Sequence, residues 1–286
     1  MARLLPHLLL AMTTLVASQA AHAELDRAHA AWTALLAKHV KLEDARGRAS
    51  RVDYAAFAQD RAALRAYLDS LARVTPGEFS ALPRAEQIAY WINAYNAATV
   101  ELILGEYPKH ASIRDYGSLL RSPWQRPFVR LLGETLSLDE IEHERLRGPR
   151  GYREPRIHFA VNCASIGCPM LREEAYTGAK LEAQLEEQTV RFLADRTRNR
   201  ADSGAGVLEL SPIFDWYRDD FAGGDLPRFL ARYAGALVPD EQERRRFAAR
   251  EWDVEFGDYD WRLNDVKRSS SAQPSTGSRG VSNNSW

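Results

Sequence analysis

The chain reads as an α+β protein, a helical N-terminal layer packed on a mixed, mostly antiparallel sheet. Two observations predict this class. Residues 24–104 carry apolar side chains at helical spacing, and the strand-like stretches come later. Few helices separate those strands regularly, which argues against a doubly wound sheet.

The elements follow in order. Residues 24–40 (Leu25, Ala28, Trp32, Leu35, Leu36) and 54–74 (Phe57, Leu64, Tyr67, Leu68, Leu71) have the stripe of amphipathic helices. Thr75-Pro-Gly-Glu78 has capping-box spacing with Pro76 at the first helical position, so a short helix starts there. A longer helix is expected over 83–104, apolar nearly all round from Ile88 and therefore buried on every side. Asn93 and Asn96 share one of its faces, and each buried amide costs about 1–3 kcal/mol if left without partners. They either tie loops to the core or orient a site.

Residues 128–132 and 134–138 around Gly133 read as a hairpin, and Ser137-Leu-Asp-Glu140 as a capping box opening a helix. Glu142 falls on the apolar side of that helix beside His143, so its carboxylate needs a partner: an arginine, or a site that raises its pKa. Ile157 to Asn162 alternates as a central strand, which sets His158 opposite Cys163 and favours His143 as the histidine that reaches the thiol. Helix 181–193, strand 207–210, a Ser211-Pro212 cap into a helix from Ile213, helices 226–237 and 240–250, and a strand 254–263 complete the ordered part. Asp215 and Asp219 lie off the buried stripe of Ile213, Phe214, Tyr217 and Phe221.

Residues 1–23 have the pattern of a cleaved secretory signal, with Arg3, an apolar run too short to span a bilayer, and Ala21-His22-Ala23 before Glu24. An exported, periplasmic or secreted protein is expected, with a single domain over 24–266 and a disordered, serine-rich tail over 267–286. With 38 basic against 39 acidic residues, the chain lacks the charge excess of a nucleic-acid binder, and neither a membrane span nor a cofactor is expected. Gly204-Ala-Gly206 is a turn, not a phosphate cradle.

Chemistry concentrates in RIHFAVNCASIGCPML (Arg156 to Leu171), which holds the chain's two cysteines, Cys163 and Cys168. Together with YWINAYNA (Tyr90 to Ala97), SIRD (Ser112 to Asp115), SPW (Ser122 to Trp124), LSLDEIEH (Leu136 to His143) and IFDWYRDDF (Ile213 to Phe221), it resembles the family catalogued as domain of unknown function 547. The motifs run in register over 53–264, and Gln125-Arg126 stands where relatives often have lysines. The resemblance assigns no activity, but it implies that the cysteine pair also occurs in intracellular members, where disulfides rarely persist.

Three readings of the thiol corner compete. Cys163 and Cys168 form a structural disulfide in a binding or scaffold domain that uses aromatic side chains such as Trp91, Trp124 and Trp216. Alternatively, Cys163 is a nucleophile with His143 or His158 as base and Asn93 or Glu142 orienting it, acting as a hydrolase or acyl transferase on an amide or thiol-containing small molecule or peptide. Asn96, Asn162, Ser165, Cys168, Trp91, Trp124 and Asp215 then serve binding. A papain- or transglutaminase-like arrangement is compatible by analogy. Third, Cys163, Cys168, His143 and His158 hold a metal, although their spacing matches no familiar ligand template.

Overall fold

The computed structural model describes residues 25–118, 121–148, 151–202, 204–248 and 252–266. The expected signal segment and tail lie outside these residues. The architecture is α+β, with helices around three small sheets.

Helix α1 (Ala30–His39) starts where the Asp26 carboxylate accepts from the amides of Ala28 and Ala30, and it buries Trp32, Leu35, Leu36 and His39. Strands β1 (Val40–Leu42) and β2 (Ser50–Val52) pair antiparallel. The single helix expected over 54–74 is instead α2 (Tyr54–Phe57), whose N-terminus the Asp53 side chain caps at Ala56, a tight turn, and α3 (Arg61–Ala72), with the break at Asp60 (φ −103°, ψ 14°). Helix α4 (Pro76–Ala81) has the expected capping box, with Glu78 N–H on Thr75 Oγ1 at 3.2 Å and Thr75 N–H on the Glu78 carboxylate at 2.7 Å. Helix α5 (Arg84–Glu106) is the central rod, buried without a break from Ile88 to Val100.

Strands β3 (Val129–Leu131) and β4 (Glu134–Leu136) form the expected hairpin, whose turn places both Leu132 and Gly133 at positive φ. The Ser137–Glu140 box closes as anticipated, but Glu140–Arg147 then winds as a π-helix. Helix α6 (Leu181–Ala194) leads to the remaining sheet, in which β6 (Val207–Leu210) lies between antiparallel β5 (Arg200–Asp202) and parallel β7 (Asp253–Phe256). Between β6 and β7 come the short helices α7 (Ile213–Trp216), α8 (Leu226–Ala231), α9 (Ala234–Leu237) and α10 (Glu241–Ala248). The strand expected over 254–263 is regular only to Phe256, and the chain beyond it runs alongside the cysteine segment, where Ser165 bridges Leu263.

Residues 157–162 do not form a strand. Pro155–Phe159 is a tight helical turn, capped by the Glu154 side chain on the Arg156 amide and continued by Ala160 and Val161 bonding back to Ile157. Every residue from Ile157 to Val161 is buried, so apolar alternation carried no information about faces. The separation of His158 from Cys163 inferred from strand geometry disappears with it.

Two apolar clusters result. One surrounds α5 and includes Trp124, Ala160 and Ala164; the other gathers Phe159, Phe192, Phe214, Phe221 and Phe229. The cysteine segment threads the seam between them.

Candidate active site

Corner geometry begins with asparagines. Asn96 Nδ2 donates to Ala160 C=O at 3.0 Å and its Oδ1 accepts the Asn162 amide at 2.8 Å. Asn162 in turn donates to Pro169 C=O at 2.7 Å and accepts the Ala164 amide at 3.0 Å. These bonds clamp the loop at both ends and hold Ala164 at φ 62°, a conformation that costs an alanine about 1 kcal/mol. Opposite the loop, Gly167 is required for close approach: a Cβ there would meet Asp260 N at 2.9 Å and the Tyr259 ring at 3.0 Å.

The thiol so placed faces a cavity of about 60 Å³ on the seam, whose walls include Cys163, Cys168, Glu142, His143, His158 and the aromatics Trp124, Trp216, Tyr217, Tyr259 and Trp261. Cys163 is half-buried, and both cysteines are free thiols. Cys163 Sγ lies 3.2 Å from Ser165 Oγ and 3.2 Å from Tyr259 OH, and its amide donates to Cys168 Sγ at 2.8 Å. Burial alone would push this thiol up, but hydrogen bonds from Cys168, Ser165 and Tyr259 outweigh it, and the Cys163 pKa lies below the usual thiol value. Burial and the neighbouring Cys163 sulfur push Cys168 the other way, so Cys168 stays protonated.

Two histidines reach the cavity with different nitrogens engaged. His158 Nε2 lies 2.7 Å from Asp220 Oδ2, while Nδ1 is buried without a hydrogen-bond partner. A carboxylate at Nε2 fixes the proton there and leaves Nδ1 with a free lone pair. His143 is the converse: Arg147 donates to its Nδ1 at 2.8 Å, so the neutral ring carries its proton on Nε2. Burial holds the His158 pKa below its ordinary value in spite of Asp220, which keeps the ring neutral and able to accept a proton. Burial also opposes the Asp220 charge, yet hydrogen bonds from His158 and from Arg147, at 2.6 Å, hold its pKa at about 2. Tyr217 stacks on His158 with ring centroids 4.1 Å apart and carries the Arg147 guanidinium 4.4 Å from its own centroid. No hydrogen bond joins Cys163 directly to either histidine among the described residues.

The other expected site residues separate cleanly. Glu142 lines the cavity, but its partner is the Tyr217 hydroxyl at 3.0 Å rather than an arginine. Asp139, one helical turn earlier and also on the cavity wall, has its carboxyl pKa raised by burial. Asn93 lies off the cavity, exchanging hydrogen bonds of 2.7 and 3.0 Å with the backbone of Tyr176. Trp91 packs on Phe79 and Tyr90 away from the thiol, and Asp215 is exposed and pairs with Arg218. Asn96 and Asn162 shape the corner without lining the cavity. Among the described residues no group of three or more His, Cys, Asp or Glu side chains is arranged to hold a metal, and no helix is long and apolar enough to cross a membrane.

Sequence reasoning missed Asp220, Arg147 and Tyr259. Asp220 belongs to IFDWYRDDF, where helical spacing singled out Asp215 instead; a tight turn at Arg218–Asp220 rotates Asp220 inward to His158. Tyr259 was visible only as one member of an alternating strand, with no signal of its partner 96 positions away.

Fold and site together define an α+β protein that sets a half-buried thiol and a histidine–aspartate pair around an aromatic cavity. Residues 79–193 match the family described as "Protein of unknown function, DUF547", so the resemblance drawn from the motifs holds over that span. Cys163, Cys168, His143 and His158 lie inside it; Asp220, Tyr217 and Tyr259 lie beyond it. No curated protein and no solved structure matches the chain.

Proposed function

We propose that the protein is a thiol-dependent hydrolase or acyl transferase acting on an amide or thiol-containing substrate, exported by the segment at its N-terminus. The observation that carries this reading is that one cavity is lined by both Cys163 and His158, whose buried Nδ1 has no hydrogen-bond partner while Asp220 holds Nε2. A buried nitrogen left unsatisfied is costly, and a site that exchanges protons is one reason to keep it so.

The chemistry follows from those roles. Cys163 sulfur attacks the substrate carbonyl, and its proton is held by Nδ1 of His158. As the bond to the amine or thiol breaks, that proton passes to the leaving group, leaving an acyl group on sulfur. Water, or a second nucleophile, attacks the acyl carbon with His158 again taking the proton, which frees Cys163. Asp220 keeps the ring in the tautomer that presents Nδ1, and His143 Nε2–H is a donor available to the carbonyl oxygen as it gains charge.

Iodoacetamide labelling tests this. Cys163 is expected to alkylate near neutral pH, below the pH at which an ordinary thiol reacts, while Cys168 stays unlabelled in the folded chain. Intact mass of unreduced protein is expected to show two free thiols. A bridged pair, or equal sluggish labelling of both cysteines, would remove the nucleophile and leave the binding domain.

A further inference from the structure

Behind the wall formed by Arg147 and Asp220 lies a second cleft, of about 630 Å³, which falls within the range of roughly 300–1,000 Å³ typical of ligand sites. Four arginines converge on it from three parts of the chain: Arg147 at the end of the π-helix, Arg153 in the following loop, and Arg228 and Arg232 from α8 and its C-terminal cap. Elsewhere in the molecule arginines are mostly matched, as Arg61 and Arg65 are to Glu101, Arg156 to Glu154 and Glu182, and Arg191 to Glu173 and Glu187. Here the matching fails. Among the described residues Arg153, Arg228 and Arg232 have no carboxylate within ion-pair distance.

The cleft's own acids do not repair the imbalance. Glu154 is taken by Arg156 through both oxygens, at 2.8 Å each, and Asp220 by His158 and Arg147. That leaves Asp219 beside three guanidinium groups with no ion-pair partner, of which Arg232 lies over the Tyr233 ring, 5.9 Å from its centroid. Arg228 and Arg232 stand four residues apart, a helical spacing at which like charges repel, so their juxtaposition is unfavourable without an anion between them. Guanidinium groups present paired N–H donors that match the oxygens of carboxylate and phosphate.

We propose that this cleft binds a small, multiply charged oxyanion, a polycarboxylate or a phosphoryl compound. The site is separate from the thiol cavity and does not depend on the enzyme reading, since its ligand is recognised by charge alone. Arg147 and Asp220 are among its lining residues, so an occupant that touches Asp220 sits one side chain away from His158.

Calorimetric titration of the full chain at low salt, with pyrophosphate in one arm and citrate in the other, tests the proposal. Saturable one-to-one binding of at least one probe is expected, with a Kd of about 1 mM or tighter that weakens as salt is added. The stronger arm identifies phosphoryl or carboxylate chemistry. In an Arg228→Gln/Arg232→Gln variant, whose substitutions are on exposed side chains, binding should weaken by roughly tenfold or more with unchanged thermal unfolding. If neither probe saturates below about 10 mM, or the variant binds as well as the parent, the cleft is an ordinary basic surface and the proposal fails.

Discussion

The chain builds nearly the same histidine–aspartate pair twice. His39 Nε2 lies 2.7 Å from Asp60 Oδ2, as His158 Nε2 lies 2.7 Å from Asp220 Oδ2; both rings are buried, both leave Nδ1 without a partner, and both carboxylates also take a cation, Lys38 in one case and Arg147 in the other. Each ring lies on an aromatic face, His39 on Phe57 and His158 on Tyr217. The pair by itself therefore says nothing about chemistry. What differs is the surroundings: His39 ends α1 against the apolar core, whereas His158 looks onto a cavity that also holds a thiol. The first pair fastens a helix to its neighbours. The second is the only one of the two with a reactive group to serve.

The largest expected effect tests that contrast directly. His158→Gln should lower turnover by about 10²–10⁴-fold once a substrate is found, the usual contribution of a positioned base, and should slow Cys163 alkylation at neutral pH. His39→Gln should leave alkylation unchanged and cost only stability, about 1–3 kcal/mol from a lost buried hydrogen bond. Equal behaviour of the two variants in an iodoacetamide time course would erase the distinction.

Acid stability should report the α1 side of the molecule more than the site. His29, buried and hydrogen-bonded to Tyr67 at 2.8 Å, has its pKa lowered by burial from 6.5 to about 4. Above 6.5 both folded and unfolded chains leave it neutral and its contribution is complete. As pH falls from 6.5 towards 4, the unfolded chain takes up a proton that the fold refuses, so stability drops by on the order of 3 kcal/mol and levels off below. The lowered pKa of His158 acts in the same direction. Urea unfolding at pH 7 and pH 4.5 should therefore show a loss that is markedly smaller in His29→Gln.

A smaller change separates the carboxylates. Asp220→Asn can offer an N–H to His158 Nε2 and so favour the proton on Nδ1, the wrong tautomer for a base; alkylation near neutral pH should slow by roughly tenfold. Asp60→Asn, the matching change in the other pair, should leave it unaltered.

Much of the frame was legible beforehand because it is locally encoded. The Thr75–Glu78 and Ser137–Glu140 boxes close within four residues, the Gly133 turn needs its own backbone freedom, and the all-round apolar run from Ile88 announced a central helix. The shape of the site was not, because it depends on contacts between distant residues. Apolar alternation over 157–162 imitates a strand when both faces of any structure would be buried, and only the Pro155 turn and the Glu154 cap reveal otherwise. Asn93 and Asn96, alike in the sequence, diverge for the same reason: one meets the Tyr176 backbone, the other the corner beside the thiol.

The finest test of the seam is Gly167→Ala, which adds one methyl group and alters no histidine. That group would come 2.9 Å from the Asp260 amide nitrogen and 3.0 Å from the Tyr259 ring, closer than packed atoms approach, so the Tyr259 segment must move away from the corner. Tyr259 is one of the donors that lowers the Cys163 pKa, and its withdrawal removes part of that stabilisation of the thiolate. The pH midpoint of Cys163 alkylation should rise, with a rate loss of a few fold near neutral pH and none at high pH, where the thiolate forms regardless. Tyr259→Phe should produce a similar rise without disturbing the backbone. An unchanged midpoint in both variants would mean that Tyr259 packs against the thiol without tuning it, and the electrostatic contrast between the two histidine–aspartate pairs would then rest on the cavity alone.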